Sequence, residues 1–152
     1  MAFPIPAPGL VISYAYLWRH EHAEGHGEGR KNRPCVIVVA VENKEGATVV
    51  TVAPITHSAP LDASVGIEIP PRVKQHLGLD DERSWVLLQE VNTFTWPGYD
   101  LRPIASGETR IDYGFLPPKL FDRLREAMLE LIVQRRRDST SRSHGRSQHR
   151  VN

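Results

Sequence analysis

Arg33 and Thr56 are the residues whose types and spacing bring chemistry to mind first. Arg33 opens the run Arg33-Pro34-Cys35-Val36-Ile37-Val38-Val39-Ala40-Val41, and Thr56 closes a second run that starts at Thr48. Both runs are rich in β-branched residues, and Glu42-Asn43-Lys44-Glu45-Gly46 supplies a turn between them, so the segment reads as a β-hairpin. With a four-residue loop at 43–46, Glu42 faces Ala47 and opposed residues sum to 89. Arg33 then lies opposite Thr56 at the open end of the hairpin, and a bulge moves that pairing by one. The pattern sets a guanidinium, a fixed fork of hydrogen-bond donors, beside a hydroxyl. Pro34 holds Arg33 extended, and His57 and Ser58 follow Thr56 directly. Taken alone, an arginine and a threonine at strand ends are more often structural than chemical.

Two other groups carry reactive atoms. His20, His22 and His26, among Glu21, Glu24 and Glu28, offer ligand atoms for zinc or nickel. Their spacing matches no structural zinc pattern, and Gly25, Gly27 and Gly29 make the segment 19–32 a loop, either solvated or a flap that touches substrate. No metal is assigned to it. The arginines of the C-terminal tail are a second candidate, for binding phosphates, with disorder as the plainer reading. Gly25-His26-Gly27-Glu28-Gly29 has neither the spacing nor the strand-to-helix setting of a nucleotide loop. There is no nucleophile elbow and no paired-cysteine zinc motif.

The elements that must position these residues are mostly strands. Gly9–Trp18 is an apolar first strand, the hairpin follows, and Ile67–Ile69 is a short strand. Pro70–Gly78 reads as a short helix opened by proline and closed by glycine. Ser84–Thr95 is a further strand region, Trp96-Pro97-Gly98-Tyr99 a turn, and Leu101–Ile104 a last strand. From Pro117, Leu120, Phe121, Leu124, Ala127, Met128, Leu131 and Ile132 form one apolar stripe of a long helix. The expected fold is mainly β with a C-terminal helix. It is a small barrel or rolled sheet of five to seven strands, with a short helix near 70–77 and a terminal helix near 118–137. Residues 1–8 are an extended lead-in, 9–137 the domain, and 138–152 a disordered tail rich in Arg, Ser and His.

A chain of 152 residues is long enough for one domain with a real core. Its single cysteine, Cys35, forms no intrachain disulfide, fits a reducing compartment, and reads as a buried structural thiol. No apolar run reaches the length of a membrane span, and the proline-rich N-terminus lacks the pattern of a secretion signal, so a cytoplasmic protein is expected. The last 18 residues hold six arginines and one aspartate, a charge of +5, so in a chain of net charge +1 the rest carries −4. The body does not advertise a polyanion partner.

In order, these segments resemble the PemK/MazF family of toxin endoribonucleases over about residues 9–133. Gly9-Leu10-Val11-Ile12-Ser13-Tyr14 resembles the family's opening strand, and Arg33-Pro34-Cys35-Val36-Ile37-Val38 its "R-P-x-x-V" strand. Val52-Ala53-Pro54-Ile55-Thr56-His57-Ser58 is similar to its "P-i-T-s" strand. Val86 through Trp96 is similar to a later strand that often carries an Asp-Gln pair, where this chain has Gln89-Glu90. Each motif is short; four in order, with the helix in place, carry the resemblance.

The resemblance implies an SH3-like barrel that dimerises. It implies metal-independent cleavage of single-stranded RNA by attack of the 2′-hydroxyl on the neighbouring phosphate, without cofactor, and inhibition by an antitoxin protein. The family's catalytic arginine and threonine fall on Arg33 and Thr56. Arg33 would bind the phosphate and serve the leaving group, and Thr56 would hold a non-bridging oxygen or orient the 2′-hydroxyl. His20, Glu21, His57, Ser58, Gln89 and Glu90 are the expected substrate-binding residues, with His57, Ser58 and a loop residue such as His20 or Glu21 also as proton carriers. A one-residue shift along a strand sends Glu90 to the face opposite the family's carboxylate. The alternative is a non-catalytic SH3-like module that keeps the barrel and binds RNA or protein without cutting.

Overall fold

The computed structural model describes residues 3–16 and 31–150, with side chains from 3–16 and 32–139. Seven antiparallel strands form a curled half-barrel sheet, followed by a C-terminal helix. They are β1 Leu10–Tyr16, β2 Lys31–Glu42, β3 Thr48–Thr56, β4 Gly66–Glu68, β5 Trp85–Leu87, β6 Asn92–Thr95 and β7 Asp112–Phe115. The helices are α1, Pro71–Leu77, and α2, Pro118–Arg150. The main path runs β4-β5-β3-β2-β1-β7, and β6 pairs with β3. Among the described residues no helix is long and apolar enough to cross a membrane.

The near-continuous apolar runs of β1, of β2 as far as Ile37 and of the second half of β3 follow from burial on both faces of the sheet, whereas Val39 and Val41 further along β2 are exposed. One face packs Val11, Val36, Ala53, Ile55 and Val86 against Leu77 of α1 and Leu120 and Leu124 of α2. The other gathers Leu10, Ile12, Tyr14, Cys35, Ile37, Val50 and Val52, with Phe94 and Trp96 packed against them. Cys35 has no solvent exposure, and burial pushes its thiol far up despite the nearby Arg33 charge. That is the chemistry of an inert structural thiol.

Several expected boundaries move. The region 84–95 is two strands: β5 pairs with Ile55 and Thr56 of β3 and β6 with Val49–Val52, and Leu88–Val91 between them leaves the ladder, so the register shifts from one strand to the next. Among the described residues, Leu101–Ile104 makes one bridge, Leu101 to Tyr14, and the last strand is β7, which pairs with β1 across a bulge. Helix α1 begins and ends as read, with Pro71 in its first turn and Gly78 left-handed at φ 74°. The stripe of α2 is covered through Leu131, Ile132 turns outward, and the helix extends past residue 137.

Candidate active site

The hairpin delivers its two end residues to one place by two irregularities that cancel. Glu42 pairs with Thr48, not Ala47, and pairs from there to Val39↔Thr51 sum to 90. The loop is one residue longer than the four expected because Asn43 Oδ1 accepts from the backbone N–H groups of Glu45 (3.1 Å) and Ala47 (3.0 Å). A bulge between Ile37 and Val39 then absorbs one residue of β2, and Ile37↔Val52, Val36↔Ala53 and Cys35↔Pro54 sum to 89. Continued by two residues, that register sets Arg33 across from Thr56.

Both residues line the same two hollows. The larger, about 540 Å³, is bounded by Arg33, Thr56, Ser58, Gln89 and Glu90, with Pro60 and Leu61 on its rim. The smaller, about 210 Å³, continues past Arg33 and Thr56 to His57, Lys74, Asp80 and Ser84. Arg33 is half-buried at the boundary between them. The hydroxyl oxygen of Thr56 accepts from the Ser58 N–H at 3.2 Å, which fixes the oxygen and leaves the hydroxyl hydrogen to donate elsewhere.

The opposite-face argument for Glu90 does not hold. Side chains alternate only along a strand, and β5 stops at Leu87, so Gln89 and Glu90 both line the larger hollow. The segment is pinned from below: the buried Tyr16 hydroxyl donates to the Glu90 carbonyl and lies 3.5 Å from its carboxylate. The sheet therefore brings Arg33, Thr56, Ser58, Gln89 and Glu90 together. His20 and Glu21 lie outside the described residues.

His57 goes elsewhere. Its Nε2 is 2.7 Å from Asp80 Oδ2 and its Nδ1 is 3.1 Å from Glu82 Oε2, so both ring nitrogens face carboxylates on the loop after α1. Lys74, 4 % exposed, donates from α1 to Asp80 Oδ1 (2.5 Å), to Ser84 Oγ (2.7 Å) and to the Glu82 carbonyl. Burial pushes the Asp80 carboxyl up, but the hydrogen bonds from Lys74 and His57, and their charges, outweigh it and hold the group below its ordinary value. Reading the sequence missed Lys74, Asp80 and Glu82. One signal was present: Lys74 sits next to Val73 and three residues before Leu77, on the inner side of a two-turn helix.

In chemical terms, a forked cation, an oriented hydroxyl donor and a carboxylate share an open hollow that no residue of the described chain fills. No curated protein matches the chain. The family described as PemK-like, MazF-like toxin of type II toxin-antitoxin system matches residues 16–106, which include Arg33, Thr56, Ser58, Gln89 and Glu90. That match covers more than half of the sequence, and with the half-barrel and its helix it places the chain in the PemK-like, MazF-like family of type II toxins.

Proposed function

We propose that this toxin is an endoribonuclease that cleaves single-stranded RNA, with Arg33 and Thr56 as its catalytic residues. The observation that carries the reading is the shared lining of one open hollow by Arg33, Thr56 and Glu90 within the matched region. The 2′-hydroxyl attacks the adjacent phosphorus, the P–O bond to the 5′-oxygen breaks, and the products end in a cyclic phosphate and a 5′-hydroxyl. Negative charge grows on the non-bridging oxygens. The Arg33 fork meets it with two charge-assisted donors, and the Thr56 hydroxyl supplies a third. The Glu90 carboxylate would take the 2′-hydroxyl proton, since a general base needs only a lone pair within reach of that hydrogen, and a solvent water in the open hollow would give the departing 5′-oxygen its proton. Gln89 and Ser58 add neutral donors along the backbone of the RNA, and the exposed Leu61 offers an apolar surface for a base.

No metal enters this scheme. A type II toxin is paired with a protein antitoxin, and the same hollow is where such a partner would block RNA. We place the action in the cytoplasm and the working unit as a homodimer, with residues 9–137 as the functional domain. Removal of 138–152 is therefore expected to leave the cleavage rate within about twofold, since none of the lining residues lies there.

The test is incubation of the purified protein with mixed-sequence single-stranded RNA in excess chelator, with end groups read by mass spectrometry. Cyclic phosphate and 5′-hydroxyl ends are expected. Intact RNA under every condition overturns the reading, and binding without cleavage returns the protein to the class of binding modules. Thr56→Ala is expected to slow single-turnover cleavage by about 10²-fold, the order for loss of one transition-state donor, and Thr56→Ser to keep most of the rate. Equal rates for Thr56→Ala and wild type would remove Thr56 from the site.

A further inference from the structure

We propose, resting on the ribonuclease reading, that Pro60, Leu61 and Asp62 form a base-selecting wall of the larger hollow, where the Asp62 carboxylate admits a nucleobase with an exocyclic amino group and rejects uracil. At about 540 Å³ the hollow falls in the range of pockets that enclose a whole small ligand. It has room for a nucleotide unit, not a phosphate alone. The cleavage scheme uses Arg33, Thr56 and Glu90 and leaves Asp62, which lines the same hollow, without a task.

The wall is fixed from behind. The Pro60 ring is seated on the Gly66 backbone, since a Cβ at Gly66 would come within 2.5 Å of Pro60 Cγ. Hydrogen bonds hold the residues that follow. Asp62 Oδ1 accepts from the Ser64 N–H at 2.9 Å and from the Ser64 hydroxyl at 2.7 Å, and the Val65 carbonyl accepts from the Leu88 N–H at 2.8 Å. Between these anchors the Leu61 side chain stands fully exposed. Beside the proline ring it offers an apolar surface for the flat face of a base, and single-stranded RNA is read by such contacts together with hydrogen bonds to base edges.

Asp62 supplies the selection. Both bonds from Ser64 go to Oδ1, which leaves Oδ2 for a ligand. The same two bonds hold the carboxyl below its ordinary value, so at neutral pH it is an anion that accepts hydrogen bonds and donates none. An amino group such as N4 of cytosine donates to that oxygen, whereas O4 of uracil in the same place sets one acceptor against another. Charge also orients the nucleotide. Arg33 is the one cation among the lining residues, so the phosphate is drawn to Arg33 and repelled by Asp62, and the base is the part that Asp62 can take.

The experiment is fluorescence anisotropy of the full chain with labelled tetramers of deoxycytidine and of deoxyuridine. The two strands match in size, differ on the base edge at N3 and C4, and lack the 2′-hydroxyl that cleavage needs. Wild type is expected to bind the cytosine strand at least about tenfold more tightly, the order of one discriminating edge contact. Asp62→Asn keeps an oxygen for Ser64 and turns an amide N–H donor toward the ligand, so the cytosine preference should vanish or invert. Asp62 is exposed, and a thermal melt checks that the variant folds. Binding of neither strand, equal binding of the two by wild type, or an unchanged cytosine preference in Asp62→Asn would each overturn the base site. These strands cannot be cut, so intact RNA in the cleavage assay overturns the nuclease reading and leaves the measured preference standing.

Discussion

Replacing Arg33 by alanine is expected to slow single-turnover RNA cleavage by at least about 10²- to 10³-fold, the range for loss of a main charge-stabilising donor. The size follows from position. Arg33 sits where the two hollows meet, so a phosphate bound opposite Thr56 has the guanidinium as its only forked cation among the lining residues. The fork matters beyond the charge: Arg33→Lys keeps the charge but gives up the bidentate geometry, and is expected to recover only a small part of the rate. Arg33 is also half-buried, so its stem packs as well as binds, and a melting measurement belongs beside the kinetics. Loss of cleavage with a retained unfolding transition assigns the residue to the reaction. Equal cleavage by wild type and Arg33→Ala sinks the assignment.

The second large effect is on stability. Lys74→Met is expected to destabilise the fold by about 2–4 kcal/mol, below the top of the range for a broken buried ion pair because half of the Asp80 side chain faces water. The methionine fills the volume of the stem, but Ser84, Asp80 and the Glu82 carbonyl lose a shared donor. Chemical denaturation measures the loss, and a change under about 0.5 kcal/mol, the scatter of ordinary surface substitutions, would show the ammonium to be dispensable.

The same cluster sets an acid limb. Asp80 is held below its ordinary value of 3.8 in the folded chain, so the unfolded chain binds more protons in that window. Its contribution is present above the unfolded value and lost as pH falls through the folded one. Asp80→Asn should flatten this part of the stability profile below about pH 4, and Lys74→Met should move the limb upward. A wild-type acid limb unchanged in Asp80→Asn would place its origin in other carboxylates.

Much of the fold was legible because its signals are local. The β-branched runs, the turn at 42–46 and the proline and glycine around α1 each act within a few residues. The last strand was not legible. Asp112–Phe115 is short, contains Gly114, and is held as a strand by its pairing with β1, a contact 100 residues away in sequence. Region 84–95 was misread as continuous for a related reason. Its composition favours strand throughout, and only its pairing with two separate stretches of β3, in two registers, breaks it.

The sequence by itself determined the hairpin, and counting back from its turn set Arg33 across from Thr56. It also carried the family's motifs in order. Even so, the pairing depends on a loop one residue longer than read and a bulge that compensates for it, and both are settled by hydrogen bonds and packing across β2 and β3. Tertiary structure decided the rest of the site. It broke the strand after Leu87, so that Glu90 reaches the hollow, and turned His57 away toward Asp80 and Glu82. It also buried Lys74, because a charged side chain on the inner side of a short helix goes wherever enough acceptors await it, and those acceptors lie six to ten residues further along the chain.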